Sequence, residues 1–118
     1  MLKSIVVIFL LLTTVVFAEG LTKEVRFARG KSSAAIEGGV VRGDRDTYIL
    51  RASKGQHMWI TITSVENNAV FDLFSPGGEQ FEQECRKMDG QLPESGPYKI
   101  VVGGTRGNAS YTLKVTIK

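Results

Sequence analysis

From Tyr111 to Ile117 apolar and polar residues alternate strictly: Tyr111, Leu113, Val115 and Ile117 are apolar, and Thr112, Lys114 and Thr116 are polar. A period of two sends successive side chains to opposite faces, so this run makes a strand with one dry side and one wet side. Met58, Ile60 and Ile62 alternate with Trp59, Thr61 and Thr63 in the same way. No window carries the spacing of an amphipathic helix. The pattern restricts the chain to an all-β fold, with further strands predicted at Glu24 to Arg29, Ala34 to Val41, Thr47 to Ala52, Ala69 to Ser75, Gln80 to Glu84 and Tyr98 to Val102.

Turn signals divide these runs at Gly43-Asp44, Lys54-Gly55-Gln56, Asn67-Asn68, Pro76-Gly77-Gly78, Asp89-Gly90, Gly103-Gly104 and Gly107-Asn108. Seven or eight short strands at such intervals predict a single antiparallel β-sandwich. The segment Glu79 to Pro93 is polar, acidic and poor in β-branched residues, and reads as a long connection crossing between the sheets.

Ahead of this body stands Lys3, then the apolar run Ile5 to Leu12, then Val16-Phe17-Ala18, the order of a secretory leader with its cleavage site. Residues 1–18 are therefore expected to be removed on export, leaving residues 19–118 as one domain, not anchored in the membrane. Loss of Lys3 takes the formal charge of +3 to +2, too small and too scattered for a nucleic-acid partner. Cys85 is the only cysteine, so the domain forms no internal disulfide, and a monomer or a weak dimer is expected.

Catalytic and metal chemistry find little support. His57 is the only histidine, and the chain has no nucleophile elbow to pair it with Ser95. Asp44 and Asp46 alternate along one turn segment and Asp72 lies on a different predicted strand, but two carboxylates at a turn more often bond exposed backbone amides or pair with Arg42 and Arg45 than hold calcium. No enzyme activity, metal or cofactor is expected. Trp59 lies on the wet side of its strand, where it is either covered by a neighbour or free to stack on a sugar ring. Tyr48 is expected to face the core with its hydroxyl at the rim. In Gly103-Gly104-Thr105-Arg106-Gly107-Asn108 the glycines are expected to lift Arg106 clear of the sheet, leaving its guanidinium free to fork onto a carboxylate.

Taken in order, Val25-Arg26-Phe27-Ala28-Arg29-Gly30, Gly43-Asp44 with Asp46-Thr47-Tyr48, Lys54-Gly55-Gln56, Leu92-Pro93 with Ser95-Gly96 and Tyr98, Thr105-Arg106 and Tyr111-Thr112-Leu113 resemble the periplasmic inhibitors of g-type lysozyme. That resemblance implies an exported β-sandwich that inserts loops into the cleft of a lysozyme and so protects peptidoglycan. Carried over by position, it makes Arg106 the inserting cation beside Thr105, with Ser95, Gly96 and Tyr98 in a second contact motif and Tyr48 as a further contact. The loop after Val102 departs from the pattern in being shorter, with a single basic residue. Gly55-Gln56, Ile60, Phe71-Asp72-Leu73, Pro76 and Gly78 also resemble the prepeptidase C-terminal domains, which implies the alternative of a non-catalytic carbohydrate- or protein-binding module.

Overall fold

The computed structural model describes residues 20–118, apart from the side chain of Phe81. The predicted leader lies outside the described residues. Nine strands form: β1 (Thr22–Glu24), β2 (Ser33–Val40), β3 (Asp46–Ala52), β4 (His57–Ser64), β5 (Ala69–Phe74), β6 (Gln80–Cys85), β7 (Lys87–Gln91), β8 (Gly96–Gly104) and β9 (Ala109–Ile117). They make one sheet in the order β1-β3-β8-β5-β6 and a second in the order β2-β9-β4-β7. All-β is therefore the architecture, with no helix among the described residues.

Three expectations are corrected. The first strand is only Thr22–Glu24, and it pairs with β3 in parallel, whereas every other pairing is antiparallel. Beyond Glu24 the chain leaves the sheet, and Val25 and Phe27 instead pack against the core. Within the segment from Glu79 to Pro93 the strand expected at Gln80 to Glu84 forms as β6, but a second strand, β7, follows it, and the chain passes from the sheet of β6 to that of β7 at Arg86 alone. Backbone pairing to β4, from His57↔Gln91 to Thr61↔Lys87, holds β7 in place although it buries only Met88.

The core lies between the layers. Tyr48, Leu50, Phe71, Leu73, Tyr98, Ile100 and Val102 face inward from one sheet, and Met58, Ile60, Ile62, Met88, Tyr111, Leu113, Val115 and Ile117 from the other. Each set sits at every second position of its strand, as the pleat requires. From β2 onward every connection except the β5–β6 turn passes from one sheet to the other. Because successive strands from β2 onward reverse direction, residues 41–45, 65–68, 86 and 105–108 gather at one end of the sandwich, and residues 53–56, 75–79 and 92–95 at the opposite end.

Cys85 is half-buried at the end of β6, its sulfur 3.3 Å from both Glu82 Oε1 and the Gln83 carbonyl. Burial, and then the Glu82 carboxylate, push its thiol up from the ordinary range. A thiol kept protonated is a slow nucleophile. At neutral pH, alkylation of Cys85 by iodoacetamide is expected to run several-fold slower in the folded protein than in urea; equal rates would contradict this environment.

Candidate functional site

Residues 105–108 must bridge the two layers, because β8 ends in one sheet and β9 begins in the other. Asn68, itself buried, ties the bridge down from beneath. Its side-chain amide donates to the carbonyls of Arg106 at 3.1 Å and Asn108 at 2.9 Å, and its own carbonyl accepts from the Thr105 amide at 2.8 Å. The loop is thus held by backbone contacts, and the Thr105 and Arg106 side chains are left exposed. Arg106 Nη2 reaches the Glu66 carbonyl only at 3.5 Å, the outer limit of a hydrogen bond. No ion pair to Arg106 occurs among the described residues.

Other arginines converge on the same end. The amide of Arg42 donates to Asn108 Oδ1 at 2.8 Å, which couples the β2–β3 loop to the Arg106 loop. Arg45 directly precedes Asp46, which is in register with Val102, and its guanidinium lies 4.0 Å from Asp72 Oδ2. From the crossing between β6 and β7, Arg86 Nη2 donates to the Asn67 carbonyl at 2.9 Å; Asn67 takes the left-handed φ of 54° that turns this loop. Arg42, Arg45, Arg86 and Arg106 thus share this end with the carboxylates of Asp44 and Glu66. Exposed aliphatic surface gathers there too: Val65 is 93% exposed, Val41 56% and Leu21 46%, and the remaining exposed large hydrophobic among the described residues is Trp59. Cationic forks beside bare aliphatic side chains form a surface suited to a protein partner with an acidic recess.

The second contact motif lies elsewhere. Ser95 and Gly96 stand at the start of β8 and Thr105 and Arg106 just past its end, so the strand holds them roughly 30 Å apart at about 3.3 Å per residue. The Ser95–Gly96 turn and the Thr105–Arg106 loop therefore stand at opposite ends of the sandwich. Tyr98 is buried, and its hydroxyl donates to the Glu94 carbonyl at 2.7 Å and accepts the Glu94 amide at 3.2 Å, which fixes the turn into β8. Gly96 has a φ of 137°, and a Cβ there would stand 2.9 Å from Pro76 Cβ, so it serves the backbone. Ser95 is exposed, its Oγ accepting the Lys54 amide at 2.8 Å.

Tyr48 is likewise buried, and its hydroxyl lies inside, not at the rim, 2.6 Å from the Tyr111 hydroxyl. Burial removes both Tyr48 and Tyr98 from the set of side chains that a partner can touch in this conformation.

Asp46, Asp72 and the histidine are also accounted for by local structure. Asp46 accepts the Leu21 amide and the Tyr111 hydroxyl, and Asp72 accepts the Glu84 amide at 2.8 Å. His57 Nε2 is paired with Asp89 Oδ1 and does not engage Ser95. Among the described residues no group of three or more His, Cys, Asp or Glu could hold a metal ion.

No family model matches the chain. It is 34% identical over 130 positions to "Inhibitor of g-type lysozyme" from Escherichia coli strain K12, an alignment that covers 99% of this chain and 96% of that protein. With 118 residues, this chain must carry gaps at 12 or more of those positions, so the relative has insertions. Among solved structures, Aeromonas hydrophila PliG, described as a periplasmic lysozyme inhibitor of g-type lysozyme, superposes with a TM-score of 0.74 at 31% identity, over 86% of this chain and all (100%) of that one. The Salmonella Typhimurium protein of the same description gives 0.72 at 28% identity, over 84% and 99%. A pre-peptidase C-terminal domain of a Bacillus anthracis collagenase gives 0.56 at 14% identity, over 85% and 96%, and shares the fold alone. On the extent and level of the identity to the curated relative, this chain belongs to the family of g-type lysozyme inhibitors.

Proposed function

We propose that this protein is a non-catalytic inhibitor that plugs the substrate cleft of a g-type lysozyme with its arginine-bearing end. Export by residues 1–18 would place the body, residues 19–118, in the periplasm, where blocking the enzyme protects peptidoglycan. The observation that carries the reading is Arg106, exposed and without an ion-pair partner among the described residues, on a loop fastened by Asn68 in a member of this family. Glycoside cleavage generally relies on carboxylic acids flanking the scissile bond, so a lysozyme cleft offers acids for a guanidinium to grip. A hydrogen bond to a charged group contributes about 1.5–3 kcal/mol. Arg42, Arg45 and Arg86 around it would steer the encounter, and exposed Val41 and Val65 would be covered on docking.

The test is a cell-wall lysis assay with residues 19–118 against g-type, c-type and i-type lysozymes. Inhibition at near-equimolar ratio is expected for the g-type enzyme, with little effect on the others, and the association rate should fall as salt rises. Full lysis by the g-type enzyme in the presence of excess protein would refute the proposal.

A further inference from the structure

The outer face of the β2-β9-β4-β7 sheet carries a feature that lysozyme inhibition leaves unused. Trp59 sits at its middle, 38% exposed, with Asp89 of β7 in register on one side and Thr116 of β9 on the other. The His57 ring packs on the indole with centroids 4.2 Å apart, and His57 is in turn anchored to Asp89. Two residues further along β4, Thr61 is flanked in register by Lys87 of β7 and Lys114 of β9, both exposed.

We propose that this face binds a glycan whose sugars carry carboxylates, with Trp59 against a sugar ring and Lys87 and Lys114 on the acid groups. A pyranose has an apolar C–H face and a rim of hydroxyls, so it needs an aromatic surface bordered by donors and acceptors. The sheet supplies this, because neighbouring strands place Asp89 and Thr116 about 4.8 Å to either side of Trp59. The His57 contact holds the indole in one place before a ligand arrives, which lowers the ordering cost of binding. Charge selects among glycans: the Asp89 carboxylate faces His57, while Lys87 and Lys114, roughly 7 Å along the strand from Trp59, have no ion pair among the described residues. A neutral sugar would leave both ammonium groups idle.

Trp59 lies on the flank of the sandwich and the arginine-bearing loops at its end, the two surfaces adjoining where Lys87 follows Arg86. A wall polymer bearing acidic sugars or peptide carboxylates would then hold the protein where a lysozyme attacks.

Trp59 is the only tryptophan, so its fluorescence reports on this face directly. Titration with soluble muramyl glycan fragments released from purified peptidoglycan is expected to shift the emission saturably. Neutral chitin oligosaccharides of equal length should bind about tenfold more weakly, the difference that a single good contact makes, and Lys87→Gln with Lys114→Gln should erase that difference. Trp59→Ala should lose co-sedimentation with insoluble peptidoglycan while inhibiting lysozyme as the parent does. The proposal is overturned by a flat titration, by equal affinity for neutral and acidic fragments, or by a Trp59→Ala protein that sediments with the polymer as before.

Discussion

Arg106→Ala is expected to weaken inhibition of g-type lysozyme roughly thirty-fold to several-thousand-fold, since truncating one partner of a buried charge pair in an interface costs about 2–5 kcal/mol and each 1.4 kcal/mol is tenfold. Stability should barely move. Its side chain is exposed and makes a single marginal contact, 3.5 Å to the Glu66 carbonyl, and substitutions of that kind fall within about 0.5 kcal/mol. The loop itself should keep its shape, because the bonds from Asn68 go to backbone carbonyls that alanine retains. Arg106→Lys separates charge from geometry: it should recover the steering and only part of the affinity, lacking the planar fork. Ser95→Ala serves as the control at the far end of β8 and should inhibit as the parent does. Measured as the inhibition constant in the lysis assay, an unchanged value for Arg106→Ala, or an equal loss for Ser95→Ala, would move the docking end away from the arginine cluster.

That contrast shows what the sequence could and could not reveal. Strict alternation in β4 and β9 reflects one buried and one wet face, and such strands are plain from hydrophobicity alone. β7 is not, because Lys-Met-Asp-Gly-Gln buries one methionine and owes its place to pairing with β4. The Arg106 loop was legible from its glycines and its lone cation, yet its companions were not. Arg42, Arg45 and Arg86 are separated from it by tens of residues and meet it only because successive strands from β2 onward run in opposite directions. A signal for them did exist: once strands are numbered, alternate connections fall at the same end. Tyr48 faces the core as expected, and Tyr98 is buried with it. A tyrosine at a turn reads the same whether its hydroxyl meets a partner or closes a bond within its own fold, and here burial decides for the latter.

The second large effect is on stability, and it concerns the chain of hydroxyls that Tyr48 joins. Asp46 is buried and, as a carboxylate, only accepts, so Tyr111 donates to its Oδ2 at 2.6 Å, and Tyr48 must then donate to the Tyr111 oxygen at 2.6 Å. The Leu21 amide, 3.2 Å from Asp46 Oδ1, ties the beginning of the described chain to the same cluster. Room for the Tyr111 ring comes from Gly38 on the paired strand, where a Cβ would stand 2.6 Å from the phenol oxygen. Tyr111→Phe strips Asp46 of a donor and Tyr48 of its acceptor at once, leaving buried polar groups unsatisfied. A loss of about 2–3 kcal/mol is expected, which for a domain of this size lowers Tm by on the order of 10–20 °C. Tyr48→Phe removes only the outer donor and should cost about 1 kcal/mol.

The same chain sets an alkaline limit. Burial first, and then the bonds to Asp46 and Tyr48, push the Tyr111 phenol far above its ordinary range, and burial raises Tyr48 as well. In the unfolded chain both ionise near pH 10, at about their ordinary value. Above that pH the unfolded state holds fewer protons than the folded one, so their contribution is complete below about pH 10 and is lost as the pH climbs beyond it. Urea unfolding from pH 7 to 11 should therefore show a falling alkaline limb that is shallower in Tyr111→Phe, because the variant has one fewer buried phenol to ionise. Parent-like stability at pH 7, or a limb of unchanged slope, would show that the Asp46–Tyr111–Tyr48 chain does not hold the two sheets together as described.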